Sequence, residues 1–198
     1  MEIKLAMNKT TFKIYLLLTV IAALGGCAAA VVTGGAAGAS MAIDNRTTGT
    51  IIEDQAIEFK ITESLMKDKE INSKAHWNTT SYNTKVLLTG EAPTAAIRSR
   101  MVELARNVPK VTAVHDELSI AAPSSMMSRS SDTVITGKVK TKLLADKNTN
   151  GLSIKVVTDK GVVYLMGLVS RKQADLATDL VRQTGGVQKV VKLFEYTD

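Results

Sequence analysis

Residues 54–120 and 132–198 carry the same pattern of residue types in the same order. Asp54, Ile57 and Lys60 match Asp132, Ile135 and Lys138, Leu65-Met66 matches Leu143-Leu144, and Asp68-Lys69 matches Asp146-Lys147. With one gap, Val86-Leu87-Leu88-Thr89-Gly90 matches Val163-Tyr164-Leu165-Met166-Gly167, and after one more shift Val111 and Val114 match Val187 and Val190. Such a repeat constrains the fold before anything else does, because both copies must build the same unit. A unit of about 65 residues can bury a core on its own, but only marginally, so docking of the two copies against each other is plausible, and the sequence alone does not decide it. Residues 121–131 between them are small and polar with one proline, Pro123, and read as an interdomain linker.

Within each copy the apolar spacing predicts one order of elements. Ile57, Ile61 and Leu65, and then Ile135, Val139 and Leu143, recur every four residues and mark a first helix. Asp54 and Asp132 (or Ser131) stand where N-caps of these helices are expected. Two strands follow, about 75–82 and 85–90 in one copy and 152–158 and 162–169 in the other. Their joints, Asn83-Thr84 and Asp159-Lys160-Gly161, are hairpin signals. A second helix (about 94–107 and 171–184) and a last strand (111–120 and 187–196) complete the unit. The order αββαβ makes a hairpin plus a strand–helix–strand crossover, right-handed by rule. The fold class is therefore α+β, with two tandem three-stranded mixed sheets, each covered on one face by two helices. The glycines that end the matched strands, Gly90 and Gly167, are expected to serve tight backbone geometry.

The first 26 residues are a different kind of segment. Lys4, Lys9 and Lys13 precede the run from Ile14 to Leu24, which is well short of the roughly 20 residues that span a bilayer as a helix. That is the layout of a signal peptide, whose start is either Met1 or Met7. The run closes on Leu24-Gly25-Gly26-Cys27, which resembles the bacterial lipobox. The resemblance implies cleavage before Cys27, with acyl chains on its thiol and its new amine. Cys27 is the only cysteine, so a disulfide within the monomer is excluded. One acyl chain holds a protein only marginally at a membrane, and several hold it firmly. Ala28, rather than Asp, follows Cys27, and by resemblance to enterobacterial sorting rules this implies the outer membrane, with the folded copies facing the periplasm. Residues 27–53 then read as the lipidated cysteine and a flexible tether.

The repeated unit resembles the BON domain, named for bacterial osmotically induced and nodulation proteins. The residues that carry the likeness are the strand-end motifs closing on Gly90 and Gly167 and the final Val111-x-x-Val114 and Val187-x-x-Val190 strands. A lipobox followed by two such units is similar to the dual-BON outer-membrane lipoproteins of the division site. The resemblance implies binding of anionic phospholipid through the second copy and a part in envelope integrity.

The excess positive charge lies in the second copy. The first copy holds nine basic and nine acidic residues, and the second holds eleven basic and seven acidic ones. On a helical wheel the first helix of the second copy turns Ile135, Val139 and Leu143 to the core. Val134, Gly137, Lys140, Thr141 and Leu144 lie opposite, with Lys138 at the flank. Apolar contact framed by lysine is the pattern of an interfacial helix. The same residues also read as a solvated helix face, since lysine is a good helix former and isolated exposed apolar side chains are ordinary. Related second domains can carry an aromatic near the start of this helix, where this chain has Val134.

No phosphate loop, nucleophile elbow or zinc motif occurs, so neither a catalytic site nor a metal site is expected. His76 and His115 have no cysteine or carboxylate partner at ligand spacing and read as exposed or structural. The lone Trp77 reads as packing on a strand or domain contact. No cofactor is expected beyond the acyl chains on Cys27, and no nucleic acid, since an exported chain with 4 % aromatic residues suits neither encounter nor stacking. Two functions stay open: a module that binds anionic membrane, and an adaptor for outer-membrane assembly or division-associated proteins with no lipid recognition of its own. Replacing Cys27 by Ser is expected to leave the chain without acyl chains and to shift it from the membrane to the soluble fraction, read by mass spectrometry and fractionation.

Overall fold

The chain is seen in a computed structural model that describes residues 44–198. The expected signal peptide, Cys27 and the tether up to residue 43 lie outside the described residues. The first copy contains α1 (Thr48–Lys67), a short α2 (Lys69–Lys74), β1 (His76–Tyr82), β2 (Lys85–Ala92), α3 (Ala95–Arg106) and β3 (Ala113–Ile120). The second contains α4 (Met126–Ala145), a 3₁₀ turn (Gly151–Ser153), β4 (Ile154–Asp159), β5 (Val162–Val169), α5 (Arg171–Arg182) and β6 (Lys189–Tyr196). Each sheet has its middle strand paired antiparallel to the hairpin partner and parallel to the last strand, in the orders β1-β2-β3 and β4-β5-β6. The αββαβ unit is thus present twice, with α2 added in the first copy, where Asp68 accepts from the backbone of Glu70 and Ile71 and caps a turn of helix.

Both first helices begin earlier than the sequence suggests. The tether was expected to run to residue 53, yet Thr47 caps α1 by accepting from the Thr50 N–H. The linker was expected to run to 131, yet Ser125 caps α4, and residues 126–131 are helical. The hydroxyls that made this stretch look like a loop are used within the helix: Ser130, Ser131 and Thr133 donate to the carbonyls of Met126, Met127 and Arg129 four residues back.

Asp54 and Asp132 do not cap helices. They sit one or two turns inside α1 and α4, buried, and reach across to the hairpin turns. The Asp132 carboxylate accepts from the backbone N–H of Lys160 and of Gly161, both at 2.8–2.9 Å. Asp54 does the same for Asn83 and Thr84, each at 2.8 Å, and also takes the Ser81 hydroxyl and the Arg46 guanidinium. All four turn residues have positive φ, the geometry of a tight hairpin turn. Thr84, β-branched at φ 65°, is held in a conformation such residues avoid. The repeated aspartate therefore bolts the first helix of each copy to its hairpin.

Helix and sheet enclose one core per copy. Ile57, Ile61, Leu65, Val86, Leu88 and Met101 fill the first, and Ile135, Val139, Leu143, Val163, Leu165 and Val181 fill the second. Gly90 and Gly167 sit where a Cβ would fall 2.2 Å from the His76 carbonyl oxygen and 2.8 Å from that of Ser153. A third cluster belongs to neither copy alone. Tyr82 and Leu87 of the first sheet pack with Val157, Tyr164 and Met166 of the second, bordered by Val162, Leu168, Val191 and Leu193. The helix-free faces of the two sheets are thus buried against each other. The Tyr82 hydroxyl crosses this seam, donating to Ser153 O at 3.1 Å and accepting from Leu168 N at 3.2 Å. Asp44 to Arg46 close over it: Arg46 lies 3.9 Å above the Tyr82 ring and pairs with Asp44 and Asp54, and Asn45 donates to Leu168 O.

Charged hydrogen bonds contribute about 1.5–3 kcal/mol each. Asp132→Ala is expected to destabilise the chain by roughly 3 kcal/mol, and Asp54→Ala by more, since it also frees Ser81 and Arg46; urea titration of residues 44–198 measures both.

Candidate functional site

The helix α4 presents three different faces. Asp132, Ile135, Val139 and Leu143 form the buried one. The outer face carries an apolar stripe: Met126, Met127 (80 % exposed), Val134 (56 %) and Leu144 (55 %). Between them lie Gly137, beside which a side chain would meet nothing within 4 Å, and Thr141, whose hydroxyl donates to the Gly137 carbonyl. Leu152, also exposed, borders a shallow depression with Leu144. All six residues singled out in the sequence, Val134, Gly137, Lys138, Lys140, Thr141 and Leu144, are exposed.

The lysines of this helix divide their attention. At 100° per residue Lys138 and Lys140 stand about 200° apart, on opposite flanks of the stripe. Lys142 is turned away and donates to the Gln183 carbonyl. Lys140 instead joins Arg129, Thr133 and Thr136, at i, i+4, i+7 and i+11, along a third face. That face walls a cleft of about 470 Å³ between the copies, completed by His76, Trp77, Asn78, Thr80 and Thr89 of the first copy and by β4. Sequence reasoning missed the cleft, and it placed the stripe's first two members, Met126 and Met127, in the linker.

At one end of the cleft the seam turns ionic. Glu91, wholly buried on β2, pairs with Lys160 of the second copy at 2.7 Å and with His76 Nδ1 at 3.2 Å. Burial pushes the Glu91 carboxyl up, but hydrogen bonds from Lys160 and Ser124 outweigh it and hold the group below the usual glutamate range. Burial and the neighbouring Glu91 carboxylate push Asp159 the other way, above its ordinary value. Further along, Lys85 pairs with Glu195 at 2.7 Å, Asn83 donates to the same carboxylate, and Tyr164 donates to Glu117. His115 lies among these groups, and burial, with the Lys85 charge, pushes its imidazole below the ordinary 6.5. Trp77 packs against the first core. Among the described residues no three histidine, cysteine or carboxylate side chains gather as a metal site, and no helix is long and apolar enough to cross a membrane.

The BON domain family matches this chain twice, over residues 53–122 and 131–198. The chain belongs to the BON family. It is 38 % identical to the outer membrane lipoprotein DolP of Haemophilus influenzae over 94 % of this chain and 96 % of that protein. It is 35 % identical to a 21 kDa hemolysin of Actinobacillus pleuropneumoniae over 78 % of the chain and 79 % of that protein. With the osmotically-inducible protein Y of Escherichia coli the identity is 31 %, over 94 % of each. The matched segments coincide with the two cores, so the seam is a BON–BON interface.

A second exposed stripe lies on α1 of the first BON domain: Ile52, Phe59 (71 % exposed) and Met66, at i, i+7 and i+14. Its seven-residue spacing is legible in the sequence, but it carries no charge excess to mark it as the second copy's helix does.

The depressed His115 means that the unfolded chain takes up this proton first. The stability it contributes is complete above the unfolded pKa of 6.5 and falls away as pH drops below it. Residues 44–198 are expected to melt at a lower temperature at about pH 5.5 than at about pH 7.5, and His115→Gln is expected to shrink that difference.

Proposed function

We propose that this protein is an outer-membrane-anchored lipoprotein, held by acyl chains on Cys27, whose second BON domain contacts anionic phospholipid through the outer face of α4. In this role it supports envelope integrity, at the division site in particular, with its domains in the periplasm. One observation carries the reading: a stripe of four exposed apolar side chains, Met126, Met127, Val134 and Leu144, runs the length of a helix whose flanks bear Arg129, Lys138 and Lys140. A helix of this length is about 30 Å long, and such a face suits the boundary between headgroups and acyl chains. Each cation near an anionic leaflet contributes about 1 kcal/mol. Three contribute roughly 3 kcal/mol, too little to anchor a protein and enough to orient one that acyl chains already hold. The names of two relatives, an outer membrane lipoprotein and a hemolysin, agree with a life at membranes.

A specific feature favours a second reading as an adaptor: the Ile52, Phe59 and Met66 stripe on α1 has no basic excess beside it, since Lys67 is paired with Glu63. An apolar row of that kind suits a protein surface better than a charged leaflet.

Residues 44–198 are expected to sediment with vesicles containing phosphatidylglycerol and not with pure phosphatidylcholine, with binding that weakens as salt rises. Lys138→Glu with Lys140→Glu is expected to reduce binding at least tenfold, and Val134→Glu to do so without changing the melting temperature, because that side chain is exposed. Unchanged binding in both variants would remove α4 from the lipid contact.

A further inference from the structure

We infer that the apolar row on α1 is a self-association surface, on which a second copy of this chain lays its own α1 antiparallel. Ile52, Phe59 and Met66 are 61 %, 71 % and 55 % exposed. They stand on the side of the helix opposite its buried Asp54, Ile57, Ile61 and Leu65, and nothing among the described residues covers them. A second copy is thereby the occupant of the row that the adaptor reading leaves open. The assignment rests on that reading, and membrane anchoring enters only through the strength of the contact.

The row has the form of a seat for another helix. Phe59, Thr62, Glu63, Met66 and Lys67 line a hollow of about 290 Å³. The first four are spaced i, i+3, i+4 and i+7, as are the four residues that make the hole for a knob from a facing helix. Ile52, Gln55, Ala56 and Phe59 repeat that spacing seven residues earlier. In an antiparallel pair, a two-fold axis between Lys60 and Ile61 sets Phe59 of the second copy over the first hole and its Met66 over the other. The same axis makes the exchange mutual, so the pair closes at two chains. Charge permits here what it forbids on α4. Glu63 pairs with Lys67, and the antiparallel register brings Lys60 of the second copy alongside the same carboxylate, so one acid stands between two lysines. Glu58, on the other flank, is spent on Lys155 and the Ser81 backbone. The only acid of α4, Asp132, is buried and spent on a turn, so Arg129, Lys138 and Lys140 would repel their own copies. A strip about 30 Å long buries on the order of a few hundred Å² per copy, below the roughly 800 Å² per partner of stable complexes. The contact is therefore weak in solution, and it gains when two chains are held on one membrane at a raised effective concentration.

The test uses residues 27–198 with Cys27→Ser, so that an introduced cysteine is the only one. The chain is studied free in solution and held by an N-terminal histidine tag on chelator lipid in phosphatidylcholine vesicles. That anchor needs neither acyl chains nor anionic lipid, so failure of the α1 pair is separate from failure of the proposed membrane role. Mild oxidation of a mixture is expected to join Phe59→Cys to Thr62→Cys, which face each other in the pair. The joining is expected to be at least fivefold faster than that of Phe59→Cys to Asp179→Cys, an exposed position on α5, and faster again on vesicles at equal protein. Ile52→Cys is expected not to join itself, because the two copies of that residue lie more than about 20 Å apart. Phe59→Glu and Phe59→Lys are each expected to abolish association, read by sedimentation in solution and by energy transfer on vesicles, and their mixture to restore it. Both should keep the melting temperature, since the side chain is exposed; Met66→Glu serves should Phe59→Glu alter the fold. Joining no faster than at Asp179 in solution and on vesicles alike, or an Ile52→Cys homodimer, overturns the α1 pair. So does association that survives Phe59→Glu and falls with Val134→Glu, and so does an envelope sample in which the Phe59→Cys adduct holds a different protein and no second copy.

Discussion

The structure depends on the burial of one sheet face against another. A three-stranded αββαβ unit has helices enough to cover a single face of its sheet, and the other face remains apolar. Leu87 in one unit and Tyr164 and Met166 in the other have no helix to meet, and each finds the opposite sheet. Burying a side chain of that size contributes about 1.5–3 kcal/mol, a large sum beside the marginal stability of units this small. The polar links follow from the apolar contact. Once the faces meet, Tyr82, Glu91, Lys155, Lys160 and Glu195 are brought within reach of the other copy, and for the buried Tyr82 and Glu91 pairing is obligatory.

What the sequence disclosed was the periodic part. Helical spacing named Ile57, Ile61 and Leu65 and their counterparts, and all are buried. Turn residues placed both hairpins. Its silence about the seam has a physical reason. Val86-Leu87-Leu88 and Val163-Tyr164-Leu165-Met166 are unbroken apolar runs, the mark of strands buried on both faces, but such a run does not say what covers the second face. The helix starts were hidden for another reason: a Ser-, Met- and Thr-rich stretch has loop composition until its hydroxyls find the carbonyls four residues back. Asp54 and Asp132 were legible as repeated and misread in role, because a side chain three decades of residues from its turn gives no local sign of the bond. The cleft was beyond reach altogether, since β1 and α4 meet only through the seam.

The helix α4 shows how one element serves several purposes. Its buried face is dictated by the core and its outward stripe by nothing inside the molecule, while the third face exists only because a neighbouring domain stands opposite. Lys138 and Lys140, two residues apart in sequence, end in different surroundings for that reason.

The docking of Asp44 to Arg46 over Tyr82 has a mechanical meaning. Whatever force the preceding chain transmits arrives at Arg46, which grips Asp54 of the first copy, while Asn45 grips Leu168 of the second. Tension therefore enters at the junction and is shared by both domains, rather than unwinding α1 from its first turn. Loosening that grip would transfer the load to a single helix end, so the same small knot that joins the domains also shields them from a pull on the chain before it.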